Sequence, residues 1–288
     1  MSASIVQFVK LFGTPIGTKG YPVGGKDADG LFQPLSVTTS GLVVAQNSTI
    51  IQAAARGQDA NLAFVQRHAE MVTPNTSENR LSLGGYTTQT TEAQRSFRST
   101  NTNDTSTGTG ARKIQLLYMN SSRSTLLSEI ITLSGTSWVN TVATDIRYIH
   151  DLNVVSVGSN GAPLGDVEVN TAVAGGGTVF TKIVVGNNEW MTASMHLPLD
   201  RRQYLTSAIV SSESGTLLRL TNQVDFTSIG GGIITQSRKE IFTSAGAAFA
   251  YDGDIIITDP GGDFDAFVTG PTNKRWFLTI SGFEELLT

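Results

Sequence analysis

The sequence predicts an all-β protein, an extended N-terminal arm followed by an antiparallel β-sandwich of jelly-roll-like type. Three observations predict it. From about residue 80 onward, short runs rich in β-branched and aromatic residues recur, punctuated by Gly, Asn, Ser, Asp and Pro. No segment of clear helical period separates them, the pattern expected of a sandwich rather than of an alternating α/β fold. The first 46 residues carry Pro15, Pro22 and Pro34 among several glycines. Their apolar runs are too short and too broken to build a core.

Taken in order, residues 1–46 form the arm, and its apolar side chains spread along an extended path. Phe8, Phe12, Tyr21, Leu31, Phe32 and Leu35 are the candidate assembly anchors. Residues 47–80 connect the arm to the body. In "NSTIIQAAARGQDANLAFVQRHAEMV" (47–72) the composition favours helix, but Gly57 interrupts both apolar faces, so short helices and a strand pair are both open. The body spans 81–288. The Thr-rich run 87–111 predicts an edge strand at "QRSFRST", then a loop, with a disordered linker the alternative. Strands follow at "KIQLLYM" (113–119), "SEIITLS" (128–134), "DIRYIHDLNVVSVG" (145–158) and "DVEVN" (166–170). Next come "FTKIVVG" (180–186), "MTASMHLPL" (191–199), "QYLTSAIVSS" (203–212) and "LLRLTNQVDF" (217–226). The series ends with "GIITQSRKEIFT" (232–243), "GDIIITD" (253–259), "FDAFVTG" (264–270) and "RWFLTISGFEEL" (275–286).

Composition removes several function classes. The chain of 288 residues has no cysteine, which excludes disulfides, thiolate metal sites and cysteine nucleophiles. The net charge is -4 and basic residues come at most in adjacent pairs, such as Arg201–Arg202 and Lys274–Arg275. That is not a cationic face that releases counterions, so no nucleic-acid partner is expected. The N-terminus lacks the basic region, apolar core and cleavage site of a secretion signal, and no apolar run is long enough to span a bilayer. Charged residues are 15% of the chain against about 25% in an average domain. Thr, Ser, Asn and Gly replace them, as is common on β-rich extracellular and virion surfaces.

Candidate chemistry is thin. A phosphate loop needs G-x-x-x-x-G-K-[ST] between strand and helix. "GTPIGTKG" (13–20) and "GGKDADG" (24–30) have neither the spacing nor a following helix. Asp27 and Asp29 before Gly30 form a turn signal rather than a calcium loop, since the glutamate such a loop requires is Ser36 here. A denser acidic set, Asp252, Asp254, Asp263 and Asp265, is the weak calcium candidate. Hairpin geometry separates its two pairs, and the reading of these residues is solvated turns. His68, His150 and His196 stand alone, with no H-E-x-x-H or G-x-S-x-G context, and are expected to be hydrogen-bonded strand or turn residues. Trp138, Trp190 and Trp276 are expected in the core, with sugar stacking the alternative. No catalytic residue, no resident metal and no cofactor are predicted.

Three pieces, "NDTSTGTGARKIQLLYM" (103–119), "EIITLSGTSWVNTVATDIRYIHDLNVVSVGSNGAPLGDVEV" (129–169) and "LPLDRRQYLTSAIVSS" (197–212), follow one another in order. They resemble β-rich structural proteins of tailed bacteriophage virions. Leu133-Ser134-Gly135-Thr136 stands where that group has a "TLNGT" turn, and Tyr204-Leu205-Thr206-Ser207 matches its "YLTS" corner. Leu199-Asp200-Arg201 departs from its Ala-Gly-Lys. The arm's Pro22-Val23-Gly24-Gly25, Asp27, Gly30 and Gln33-Pro34-Leu35 resemble arms of the same group. The resemblance implies a virion protein assembled in the host cytoplasm, most simply a capsid decoration or cement protein. Its partners would be other virion proteins, a major capsid protein or tail proteins, and copies of itself, as in a homotrimer, with no membrane partner. The alternative is a head or tail fibre or adaptor that binds a receptor or carbohydrate.

Overall fold

The structure, a computed structural model, describes residues 61–287 apart from 215, 226–232 and 244–247. It also describes the backbone of four short strands between 24 and 44; for 216, 222–225, 233–243 and 248–255 the backbone alone is described. Two units divide at Ala60 and Asn61. In the first, β1 (Gly24–Lys26) pairs antiparallel with β2 (Phe32–Pro34), and β3 (Ser36–Val37) with β4 (Val43–Val44). The "DADG" run lies between the paired β1 and β2. Of the arm candidates, Phe8, Phe12, Tyr21, Leu31 and Leu35 lie outside the described residues, and Phe32 is described by backbone alone.

The second unit is all-β and antiparallel, and a 3-10 turn at Val173–Gly175 is the one helical element among the described residues. Of residues 47–72, where helix and strand were both open, 62–72 form β5 (Leu62–Val72). The chain continues through β6 (Asn79–Arg80), β7 (Ser96–Ser99), β8 (Ala111–Met119), β9 (Leu127–Thr132), β10 (Val139–Asn140) and β11 (Tyr148–Val157). Then come β12 (Val167–Asn170), β13 (Val179–Ile183), β14 (Met195–His196), β15 (Arg201–Ser212) and β16 (Thr216–Asp225). It ends with β17 (Ile233–Thr243), β18 (Ala248–Thr258), β19 (Gly262–Thr269) and β20 (Arg275–Leu286).

Two sheets from the ends of this unit pack face to face. One has the order β18-β15-β20-β5; the other runs β14-β19-β16-β17, with β6 also on β19. Alternation within each strand explains the packing, because one side of each pleat is apolar. Leu205, Ala208, Val210, Trp276, Leu278 and Ile280 of the first sheet form one core with Met195, Leu218, Leu220, Phe264, Ala266 and Val268 of the second.

The margin of the second sheet is a single strand cut in two. Arg80 lies opposite Phe267 and Met195 opposite Phe264, both antiparallel to β19, with the Leu81 amide on the Ala266 carbonyl between them. Residues 83–192 leave and return at this cut, where Ser82 pairs with Thr192 and the Ala193 amide bonds to the Leu81 carbonyl. They form an inserted lobe with its own sheets, β10-β7-β12-β13 and β11-β8-β9. Its separate core joins Phe97, Val167, Val169, Phe180 and Ile183 to Ile114, Leu116, Ile131, Ile149 and Leu152.

β7 is not the edge strand the Thr-rich run predicts. β10 pairs its outer side, Val139 against Phe97, and β12 its inner side. The loop that follows is gathered by one buried carboxylate. Asp104 accepts the amides of Ala111 at 2.7 Å, Leu164 at 3.0 Å and Gly165 at 2.9 Å, and the Ser99 hydroxyl at 2.5 Å. Gly110 is required there, since a Cβ on it would lie 1.9 Å from Asp104 Oδ1.

Candidate functional site

The main concentration of ionisable side chains lies where the inserted lobe meets the outer face of the second sheet. Along β19, Phe264, Ala266 and Val268 point into the core, so Asp263 and Asp265 point the other way. Solvated turns were expected for these aspartates. They are instead buried, at 6% and 2% exposure, because the inserted lobe and the cut strand cover that face.

Asp263 is held from two sides. Arg123, from the loop after β8, donates to it with both terminal nitrogens, at 2.6 and 3.2 Å, and to the Gly261 carbonyl at 2.6 Å. His196 Nδ1 lies 2.8 Å from Asp263 Oδ1, and its Nε2 meets the Tyr86 hydroxyl. The Arg123 guanidinium also lies over the Tyr148 ring, 3.7 Å from its centre. Burial on its own would raise the Asp263 carboxyl, but His196 and Arg123 outweigh it and hold it down to about 2. Arg80 Nη2 donates to Asp265 Oδ2 at 3.1 Å, with its Nε 3.1 Å from Oδ1 as an ion pair, and the Ser194 hydroxyl donates to Oδ1 at 2.6 Å. There burial prevails over Arg80, and the carboxyl sits above its ordinary value.

A second cluster continues the junction at the first sheet. His150 Nδ1 lies 2.7 Å from the His196 carbonyl and its Nε2 4.0 Å from Glu284, which Arg201 meets at 3.2 Å. Arg67 of β5 donates to the His150 carbonyl at 2.9 Å and pairs with Asp151 at 2.6 Å. Burial pushes the His150 imidazole below its ordinary value. The two histidines that look solitary in sequence therefore meet, and both are hydrogen-bonded strand residues. His68 stands apart on β5, 3.0 Å from the Thr279 hydroxyl.

Tyr86, His196 and Asp263 have the connectivity of a phenol–imidazole–carboxylate relay. Each is under 10% exposed, and burial drives the Tyr86 phenol far above its ordinary range, which keeps it protonated. A protonated, enclosed phenol is a hydrogen-bond donor, not a nucleophile. The arrangement can fasten the lobe to the sheet through a set of matched charges. Sequence reasoning singles out Asp263 and His196 separately but not Arg123 or Tyr86. The partners lie 140 and 110 residues from Asp263 and His196, and no local spacing joins them.

The remaining candidates resolve unevenly. The oxygens of Asp263 and Asp265 are already bonded to cations and hydroxyl or imidazole groups, and no cluster of metal-ligating side chains occurs among the described residues. The side chains of Asp252 and Asp254 lie outside the described residues. Trp190 and Trp276 are core residues at 2% and 0% exposure. Trp138 is half-buried, with Arg98 over its ring at 4.4 Å and Gly175 fitted closely against its edge.

No family model matches this chain, and no curated protein matches it. Among solved structures, the infectious bursal disease virus T13 particle aligns at 10% identity, covering 83% of this chain and 79% of the viral one, with a TM-score of 0.22. The VP2 subviral particle of the same virus aligns at 11% identity over 83% and 82%, with a TM-score of 0.20. A Cry1Da tryptic core variant of Bacillus thuringiensis aligns at 7% identity over 88% of this chain and 57% of that one, also at 0.20. Scores of this size do not establish a shared fold.

Proposed function

We propose that this chain is a non-enzymatic structural protein of a tailed-phage virion, a decoration or cement protein on the capsid. In this reading the arm, residues 1–46, holds the protein to neighbouring subunits by main-chain pairing and apolar anchors such as Phe8, Phe12 and Phe32. Residues 47–60 lead into the β body, which begins with β5, and the inserted lobe adds to its bulk. Repetition over a symmetric oligomer, a trimer in the simplest case, multiplies weak arm contacts.

One observation carries the reading. With β6 and β14 counted as one strand, the orders β18-β15-β20-β5 and β14-β19-β16-β17 support a jelly-roll reading of the eight strand positions. That architecture is shared by viral capsid and lectin domains. Between those two, the tryptophans favour the capsid side. Two are in cores, and the third is half-buried with Arg98 over one face of its ring, which leaves less for sugar stacking than a free platform would.

The test is to image particles carrying a labelled copy of this chain. Density repeating over the capsid lattice is expected. Label confined to the tail would replace the decoration reading with the fibre or adaptor one, and absence from particles would remove the virion role.

A further inference from the structure

β5 pairs β20 through eleven consecutive positions, from Leu62–Glu285 to Val72–Arg275, without a bulge. Its other side has no partner strand among the described residues. Soluble proteins shield such edges with proline, lysine, a bulge or a twist, because a long flat edge is a template for another strand. The sequence LAFVQRHAEMV has no proline or lysine and pairs without a bulge, and its charges are already matched, Arg67 by Asp151 and Glu70 by Arg275.

The outer face beside this edge is also prepared for contact. Phe64, Phe283, Tyr204 and Ile257 stand opposite one another across all four strands of the first sheet. Phe64 and Ile257 are 42% and 44% exposed, and Phe283 is stacked on Tyr204 at 4.7 Å. Arg202 is paired with Asp259 beside the row, and Arg275 with Glu70 at the other end of the strand.

The strand's own sequence identifies what fits the edge. Read outward from His68, its character is the same in both directions. With two copies antiparallel and His68 at the centre, Phe64 faces Val72, Val65 faces Met71, Gln66 faces Glu70 and Arg67 faces Ala69. Phe64 and Val72 are the exposed apolar residues of the strand's outer side, so each copy covers the other's. Centring one residue earlier sets Arg67 against Arg67 and Phe64 against Glu70. One residue later sets Gln66 against Val72.

We propose that β5 pairs with β5 of a second copy about a twofold axis at His68, joining two four-stranded sheets into one continuous sheet. A threefold contact elsewhere on the chain is compatible with this pair.

The chain has no cysteine, so single-cysteine variants of the full protein report the register directly. Wild-type protein is expected to sediment as a dimer, or as a hexamer where the threefold contact also forms, and a trimer without dimers overturns the proposal. Under mild oxidation His68→Cys should form a disulfide-linked dimer, the two α-carbons lying about 4.5–5.5 Å apart, within the span of a disulfide. Gln66→Cys should not, since its two copies are about 13 Å apart in this register. Phe64→Lys with Val72→Lys, both at exposed positions, should weaken the dimer by about tenfold or more. A monomer at every concentration, no bridge at His68→Cys, or a bridge at Gln66→Cys in its place overturns the proposal.

Discussion

Arg123 and Asp263 meet at 2.6 Å with both side chains under a tenth exposed, one from the inserted lobe and the other from the sheet beneath it. A buried pair of this kind adds little over an apolar one, but losing one partner strands the other charge in a site with no water to take it up. Asp263→Asn is therefore expected to destabilise the protein by about 3–5 kcal/mol. Equilibrium denaturation of the variant beside wild type measures this. A loss under about 1 kcal/mol, the size of an exposed pair, would mean that the junction is solvated.

The junction should also make stability depend on pH, with two windows. His150 faces Glu284, Arg67, Asp151 and the His196 carbonyl, and burial holds its imidazole below the ordinary value of 6.5. The unfolded chain then binds a proton more readily than the folded one, so stability falls as pH drops below about 6.5. Asp263, held at about 2 against 3.8, contributes stability that is full above pH 4 and is lost as pH falls from there toward 2. Urea midpoints between pH 8 and pH 5 should decline in wild type and stay flatter in His150→Asn. Equal slopes in the two proteins would remove His150 as the cause.

Asp104 supplies a separate test inside the inserted lobe. Truncation to alanine leaves three amides and a hydroxyl without an acceptor, each costing about 1–3 kcal/mol when buried. Asp104→Ala should lose at least about 3 kcal/mol, and amide exchange should quicken first at Ala111, Leu164 and Gly165. Unchanged protection at those three amides would contradict the arrangement.

Asp263 and Asp265 should give calcium no hold that raises the temperature of thermal unfolding. The carboxylates of Asp263 and Asp265 are taken up by Arg123, His196, Arg80 and Ser194, and a divalent ion would have to displace those bonds. Melting curves with excess calcium and with a chelator are expected to superimpose. A rise of several degrees with calcium would show that the acidic set does bind it.

The strands were the most legible part of the sequence. "LLRLTNQVDF" and "RWFLTISGFEEL" correspond to β16 and β20 almost residue for residue, because period-two alternation and turn residues are local signals. The cut strand was not legible. Its halves contribute two paired residues each, β6 and β14, separated by a lobe of more than a hundred residues. That concealed lobe explains the misreading of Asp263. Beside a Pro-Gly-Gly turn an aspartate reads as solvated, and only the return of residues from the other side of the cut reveals that it is covered. His150 and His196 were legible as strand residues, but their meeting depends on how the lobe sits on the sheet.

If an arm attaches a self-sufficient β body to a particle, deletion of residues 1–60 separates folding from attachment. The unit from Asn61 onward contains both described cores, so the truncated protein should fold, with wild-type β circular dichroism and a cooperative melt. Mixed with particles lacking this chain, it should fail to co-sediment, whereas the full-length protein should load. Truncated protein that folds and still loads as the full chain does would contradict the account.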